Sequence, residues 1–340
     1  MRWAGPLAVL VALVVGALQV GLPYYALAPG EARQVDDLIK VPGDRRFPPR
    51  GDVLLSTVSI RRVTALEALT GWLDPNTEVV PEERILGTTP RKQFTQQNIE
   101  EMDNSKQNAA VVALRRLGYT VTEHGKGALV VQVDEAAPAH GHLVQGDVVT
   151  AVDGKPTPLV DDLVGAVRSR QPGDIVHLDV TNAKGESRTE DVTLGRHPGR
   201  EGGYLGVVLK TKEQKFDYPF DLSIDSGAIG GPSAGLAFTL GVLDVLTPGE
   251  LTGGQKIAAT GTIDLDGTVG DVGGVVQKTA AVRKAGAKVF LVPPGEYREA
   301  RAHAGRNLEV VKVSTLDEAL AAIGKHGGDV SAVQAPKAAA

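Results

Sequence analysis

Between Arg2 and Glu31 the chain carries no charged residue, and Leu7 to Leu22 is nearly continuous aliphatic sequence, interrupted only by Gly16, Gln19 and Gly21. A run of about 18 or more such residues can cross a bilayer, whereas a soluble helix seldom goes so long without a polar face. The expectation is a transmembrane helix within residues 1–30. Arg2 and the amino terminus favour an inside start and send the remaining chain outward, with Tyr24 and Tyr25 at the outer interface. The chain would then be a single-pass protein of the cell membrane with its later domains extracytoplasmic. Ala26-Leu27-Ala28 also fits the small-x-small pattern of a signal peptidase site, and a cut after Ala28 would release a secreted chain. The length of the run favours a retained anchor.

Beyond that segment the composition is that of an ordinary folded protein, 42% hydrophobic and 23% charged, in a chain long enough for two domains. Aromatic residues make up only 4% and glycines number 41, which leaves the cores to Val, Leu and Ala and predicts many tight turns. A net charge of −5, with no basic run or aromatic platform, excludes nucleic acid as a partner. The chain has no cysteine, so disulfides, thiol nucleophiles and thiolate metal sites are excluded, while the compartment is left open. No metal site and no cofactor are expected.

The pattern reads as an α+β protein. Residues 31–114 form an N-terminal segment with a strand at Val53–Ile60, a short helix from Ala65 capped by Thr64, and a turn at Asp74-Pro75-Asn76. A long helix follows from about Gln93 to Leu117, ended by Gly118. Residues 115–195 read as a small β-rich domain. Its strands fall at Tyr119–Thr122, Ala128–Val133, Val148–Val152 and Asp174–Val180, with a helix near Leu159–Arg168. Residues 196–328 alternate strands and helices, and 329–340 read as a disordered tail.

The chemistry concentrates in the C-terminal block. Asp225-Ser226-Gly227-Ala228-Ile229-Gly230-Gly231-Pro232-Ser233-Ala234-Gly235 runs straight into an apolar helix, Leu236 to Leu246. A serine between small residues at a helix start is suited to nucleophilic attack. Gly230 and Gly231 would let backbone N–H groups reach a substrate carbonyl, and the helix N-terminus adds donors where an oxyanion forms. The alternative is a glycine-rich turn with Ser233 as a plain N-cap. None of the seven histidines stands in a motif that would supply the base. Lys278, in Gly273-Gly274-Val275-Val276-Gln277-Lys278, lies in an apolar helical start, where burial would favour the neutral amine that can accept the serine proton. A solvated lysine on a helix face is the other reading. The phosphate-loop pattern needs Gly before Lys, and Gln277 stands there instead, so no nucleotide is expected.

Taken in order, Gly231-Pro232-Ser233-Ala234-Gly235, Thr260-Gly261-Thr262-Ile263 with Gly267-Thr268-Val269, Gly273 to Lys278, and Ala285 to Pro293 resemble the proteolytic domain of Lon proteases. The resemblance implies a catalytic dyad of Ser233 as nucleophile and Lys278 as base, with Thr260 orienting the lysine. Two positions depart from the family: Gly230, where an acidic residue often stands, and Thr262, where Glu is frequent. Leu143-Val144-Gln145-Gly146-Asp147-Val148-Val149-Thr150-Ala151-Val152-Asp153-Gly154, with Pro172-Gly173-Asp174-Ile175-Val176 behind it, is similar to PDZ domains, which hold a peptide as an added strand. By that resemblance Leu117-Gly118-Tyr119 would be the carboxylate loop and Val160, Leu163 and Val167 would line the groove, unless Gly118 only caps its helix.

The whole chain resembles the bacterial membrane-anchored, PDZ-containing Lon-like proteases. An ATP-independent serine endopeptidase acting on flexible or unfolded polypeptides at the outer face of the membrane is therefore expected. Its PDZ domain would recruit substrate or gate the site, and a homo-oligomer is implied by the family alone. The competing function is a catalytically silent PDZ adaptor at the membrane.

Overall fold

The computed structural model describes residues 20–197, 199 and 201–333. They form two compact units: one joins the chain up to Thr120 with the chain from Tyr218 onward, and the other is Val121–Asp217.

The larger unit is built on a six-stranded mixed sheet. Its strands, in spatial order, are Glu309–Lys312, Val289–Val292, Lys256–Ala259, Asp52–Thr64, Gly21–Gln34 and Glu78–Pro81. The first four are parallel neighbours, and the last two join antiparallel. Parallel strands covered on both faces read as unbroken apolar runs, and all of Val289–Val292 is buried. The N-terminal segment thus shares one sheet with the C-terminal block: Asp52 to Leu55 lie beside Lys256 to Ala259. Helix Val275–Lys284 packs on strands Gly21–Gln34 and Asp52–Thr64, burying Val275 and Val282 with Leu54, Ala258, Phe290 and Val292. Helix Gly235–Leu246 is buried along its whole length, as a helix apolar on every side must be, and it packs on the long helix Arg91–Arg116. Thr64 caps helix Ala65–Leu73 through a reciprocal bond pair with Glu67.

The membrane-spanning expectation is corrected here. Gly21–Gln34, which holds the second part of the uncharged run, is a strand inside the sheet rather than helix. Tyr24 and Tyr25 pair with Pro81 and Val80, not with a bilayer interface, and Ala28 pairs with Ser59, so a cut after it would divide the strand. Among the described residues no helix is long and apolar enough to cross a membrane, which conflicts with a single-pass protein of the cell membrane. The part of that expectation resting on residues 1–19 lies outside the described residues. An apolar run suits an interior strand as well as a helix, and Pro23, Pro29 and Gly30 are the residues that argued against helix.

The long helix ends where Gly118 takes φ +81, and Tyr119 N–H reaches back to Leu114 O at 3.0 Å, a glycine cap. The Tyr119 ring stands edge-on to Phe220 at 5.4 Å, where the chain leaves and re-enters the larger unit.

The smaller unit is an antiparallel sheet. Its strands run in the order Ser187–Thr193, Ile175–Thr181, Val148–Val152, Ala128–Val133 and Val207–Thr211, so the unit continues past residue 195. Helix Val160–Arg168 closes a core of Val130, Val149, Leu163, Val176, Leu178 and Val192. The Gly-Asp of the motif has a structural reason. Asp147 is buried, its carboxylate accepting the Val144 N–H at 2.9 Å and two Arg188 N–H groups at 2.7 and 3.2 Å. Burial pushes its carboxyl up, but Arg188 and the Val144 N–H hold it below the ordinary carboxylate range.

At the other end of the chain, Val333 is buried and Asp329 accepts from Ser331, so the first part of the predicted tail is packed. Residues 334–340 lie outside the described residues.

Replacing Arg188 strands the Asp147 charge, and breaking such a pair costs about 3–5 kcal/mol when it is fully buried. Arg188 is 34% exposed, which moves the expectation for Arg188→Leu to about 2 kcal/mol. The check is hydrogen exchange at neutral pH. Amides of Val148–Val152 and Ile175–Thr181 should lose protection while those of Val289–Val292 keep theirs.

Candidate active site

Ser233 lies in the loop that enters helix Gly235–Leu246 and is partly exposed. The long helix holds that loop in place. Gly231 N–H donates to Asn98 O at 2.8 Å, Ser105 Oγ donates to Pro232 O at 3.0 Å, and Asn108 Nδ2 donates to Ile263 O at 3.0 Å. Gly231 sits at φ +84, a conformation natural only to glycine. Gly230 passes so close to the helix that an added Cβ would stand 3.2 Å from Asn98 Cβ. Both glycines therefore fit the loop to the helix, and the Gly231 N–H is already taken.

The Ser233 carbonyl is clamped from the next turn. It accepts from Gly261 N–H at 3.0 Å and from Thr260 Oγ1 at 3.1 Å. Thr260 Oγ1 in turn accepts from Lys278 Nζ at 3.2 Å. Thr260 is fully buried and Lys278 is 3% exposed, so the solvated reading of the lysine fails. Burial pushes the Lys278 ammonium down from 10.5 to about 8, against the Glu296 carboxyl, which pulls upward. With one N–H committed to Thr260, the neutral amine keeps a lone pair for a proton from elsewhere.

Ser233, Lys278, Gly230 and Gly231 line one cavity of about 480 Å³, whose other walls include Leu55 to Val58, Met102 and Asp271 to Gly274. No histidine lines it. Of the seven, His124, His142, His177 and His326 pair with Asp217, Glu190, Asp191 and Glu309. A hydroxyl, a buried amine and a loop at a helix N-terminus in one cavity can carry out acyl transfer.

The smaller unit has its own cavity, about 280 Å³, between helix Val160–Arg168 and the chain from Gly203 to Leu209. Val160, Leu163 and Val167 line it as read from the sequence. Leu117, Gly118 and Tyr119 do not: they belong to the larger unit, where Gly118 is the helix cap. The loop at the mouth of the groove is Gly203-Tyr204-Leu205-Gly206, whose Leu205 and Gly206 carbonyls accept from Ala139 and Asp134 N–H groups at 3.0 Å each.

Sequence reading missed the helix residues Asn98, Ser105 and Asn108. Ser105 could have been found, because its spacing from Met102 and Ala109 puts a polar side chain on a buried helix face.

Fold and site together define a domain with a serine and a buried lysine on one cavity, joined to a smaller β-sheet domain. Residues 116–194 match the PDZ domain model, and residues 209–324 match the model of the Lon protease (S16) C-terminal proteolytic domain. The chain is 29% identical over 196 residues to Lon protease of Desulforamulus reducens, a match covering 53% of this chain and 24% of that protein. It is 33% identical over 116 residues to Lon protease 2 of Bacillus subtilis, covering 34% and 20%. It is 45% identical over 83 residues to serine protease PepD of Mycobacterium tuberculosis, covering 24% and 18%. The chain thus spans a quarter or less of the length of these relatives. It carries a PDZ domain and a Lon-type proteolytic domain, the domain of a serine peptidase.

A lysine lowered from 10.5 to about 8 on folding is held at a cost, because below pH 8 the folded chain must carry the ammonium away from water. That penalty is present at pH 7 and fades as pH rises from 8 to 10.5. Lys278→Met is therefore expected to be more stable than the wild type at pH 7, by up to about 3 kcal/mol. Denaturant titrations at pH 7 and pH 10.5 check it, since the lead should close at the higher pH.

Proposed function

We propose that this chain is an ATP-independent serine endopeptidase that cuts flexible or unfolded polypeptides through a Ser233–Lys278 dyad, with the PDZ groove selecting chain ends. The observation that carries the proposal is the line of hydrogen bonds from Lys278 Nζ through Thr260 Oγ1 to the Ser233 carbonyl. It holds a buried amine and a helix-start serine on one cavity. In the reaction Ser233 Oγ attacks the scissile carbonyl carbon and its proton passes to Lys278 Nζ. The C–N bond breaks as the resulting ammonium protonates the leaving amine, and an acyl ester remains on Ser233. Lys278 then takes a proton from water, the hydroxide formed attacks the ester carbon, and as the C–Oγ bond breaks Ser233 Oγ takes that proton back from Lys278, releasing the acid product. No phosphate loop occurs in this sequence, so the reading is of turnover without ATP on chains already open.

The test is hydrolysis of an unfolded protein by the full chain without ATP. Ser233→Ala and Lys278→Ala should each lower kcat by about a thousandfold or more with folds intact. In the wild type kcat/KM should be low in acid and rise as pH passes through about 8, because only the neutral lysine is a base. Activity surviving in Ser233→Ala would remove the nucleophile. A serine-directed covalent probe that fails to label Ser233 in an inactive wild type would favour the silent adaptor.

For the PDZ groove the ligand is an extended C-terminal peptide. Its carboxylate would meet the N–H groups of Leu205 and Gly206, and its last side chain the apolar wall of Val160, Leu163 and Val167. A disordered reporter ending in an apolar residue should be cut several-fold faster than the same reporter amidated at its C-terminus. Val160→Glu should abolish that difference.

A further inference from the structure

Lys278 is not the only ionisable group buried at this wall. Glu296 follows strand Val289–Val292, opens helix Tyr297–His303, and is 9% exposed. Its Oε1 accepts the Val272 N–H at 2.8 Å, while its Oε2 is buried with no hydrogen-bond partner among the described residues. The carboxyl group beside it belongs to Asp271. Two carboxylates cannot bond one another, but a carboxylate and a carboxylic acid can. The approach is built into the backbone: Asp271 Oδ1 accepts the Gly295 N–H at 3.2 Å, and a Cβ on Gly295 would stand 2.6 Å from Asp271 Oδ2. Asp271 and the following residues to Gly274 line the cavity with Ser233 and Lys278, and the charge that Lys278 feels from this side is that of Glu296.

These contacts set up an electrostatic choice. An ionised Glu296 would favour the Lys278 ammonium and idle the base, whereas a protonated Glu296 would not. Burial and the Asp271 charge both push Glu296 towards the acid. We propose that Glu296 and Asp271 form a carboxyl pair sharing one proton, which keeps a negative charge from settling beside Lys278 and makes Glu296 a positioning residue for the base. This proposal rests on the reading of Lys278 as the base.

Two near-isosteric substitutions separate it from a structural role, because only one of them should move the lysine. Glu296→Gln puts a neutral donor where the carboxylic acid stood, so the Lys278 titration stays in place. Asp271→Asn frees Glu296 of a like-charged neighbour and offers it an amide donor. Glu296 then ionises more readily and the Lys278 titration moves to higher pH. A displacement of about one pH unit is expected for Asp271→Asn and none for Glu296→Gln.

They are read twice on the full chain. The first reading is a ¹³Cε NMR titration of labelled lysines, with Lys278 assigned through Lys278→Met. The second is the acid limb of kcat/KM for an unfolded substrate. An upward shift in Asp271→Asn with none in Glu296→Gln, in both readings, supports the pair. A downward shift in Glu296→Gln, or no upward shift in Asp271→Asn, in the NMR titration overturns it. The expected NMR pattern with the acid limb unmoved keeps the pair and overturns Lys278 as the base. Asp271 is exposed, so Asp271→Asn decides by its sign alone should Glu296→Gln fail to fold.

Discussion

The parallel pairing of Asp52 to Leu55 with Lys256 to Ala259 is the contact on which the rest of the larger unit depends. It joins segments from opposite ends of the sequence and places each next to a part of the site. Leu55 runs on into Ser56, Thr57 and Val58, which wall the cavity. Ala259 runs on into Thr260 and Gly261, which grip the Ser233 carbonyl. Such a contact is non-local, so its loop-closure entropy must be met before the pairing returns anything. The dense aliphatic packing around it, with Leu54, Ala258 and Phe290 in one cluster, supplies the return.

That rigid setting is what allows a lysine to be buried at all. An amine without water gains little from a single neutral hydrogen bond, and burial favours its uncharged form. Thr260 cannot neutralise Lys278; it can only fix where the amine points. Orientation and desolvation therefore come from different sources: orientation from one threonine whose own proton is committed to the Ser233 carbonyl, desolvation from the surrounding helix and strands. Separating the two leaves an amine of fixed direction that is about half neutral near pH 8.

How much of this the sequence disclosed follows from the range of each interaction. The backbone settings of Ser233 and Lys278 were legible because each stands in a local pattern that limits the backbone: small residues before an apolar helix, a glycine pair before a helix start. Thr64 and Gly118 were legible for the same reason, as caps whose partners lie within one turn. Asn98 was not, because its partner in the serine loop is distant in sequence and nothing near it shows it, while Ser105 betrayed only its burial and not its partner. The strand Gly21–Gln34 was misread because a bilayer and a covered sheet select the same uncharged side chains. Only the prolines and glycine within it distinguish the two. Leu117-Gly118-Tyr119 was placed in the groove because a glycine flanked by apolar residues suits both a helix cap and a carboxylate loop. The groove instead uses the chain from Gly203 to Leu209, whose strand pairs with Ala128–Val133 from the far side of the domain.

The long helix Arg91–Arg116 links these levels. Its face carries Asn98, Ser105 and Asn108, which bond in turn to Gly231, Pro232 and Ile263, and its end, through Gly118, is where the chain departs for the smaller unit. A helix transmits displacement along its axis with little loss, since its backbone bonds are stiff compared with the side-chain bonds it makes. The hydrogen bonds to Gly231 and Pro232 span the residues just before Ser233. A shift of the helix by a fraction of an ångström must therefore either stretch these bonds or carry the serine loop with it. The loop that holds Ser233 is thus no free-standing turn: its geometry is set by a helix that belongs, along its whole length, to the same unit.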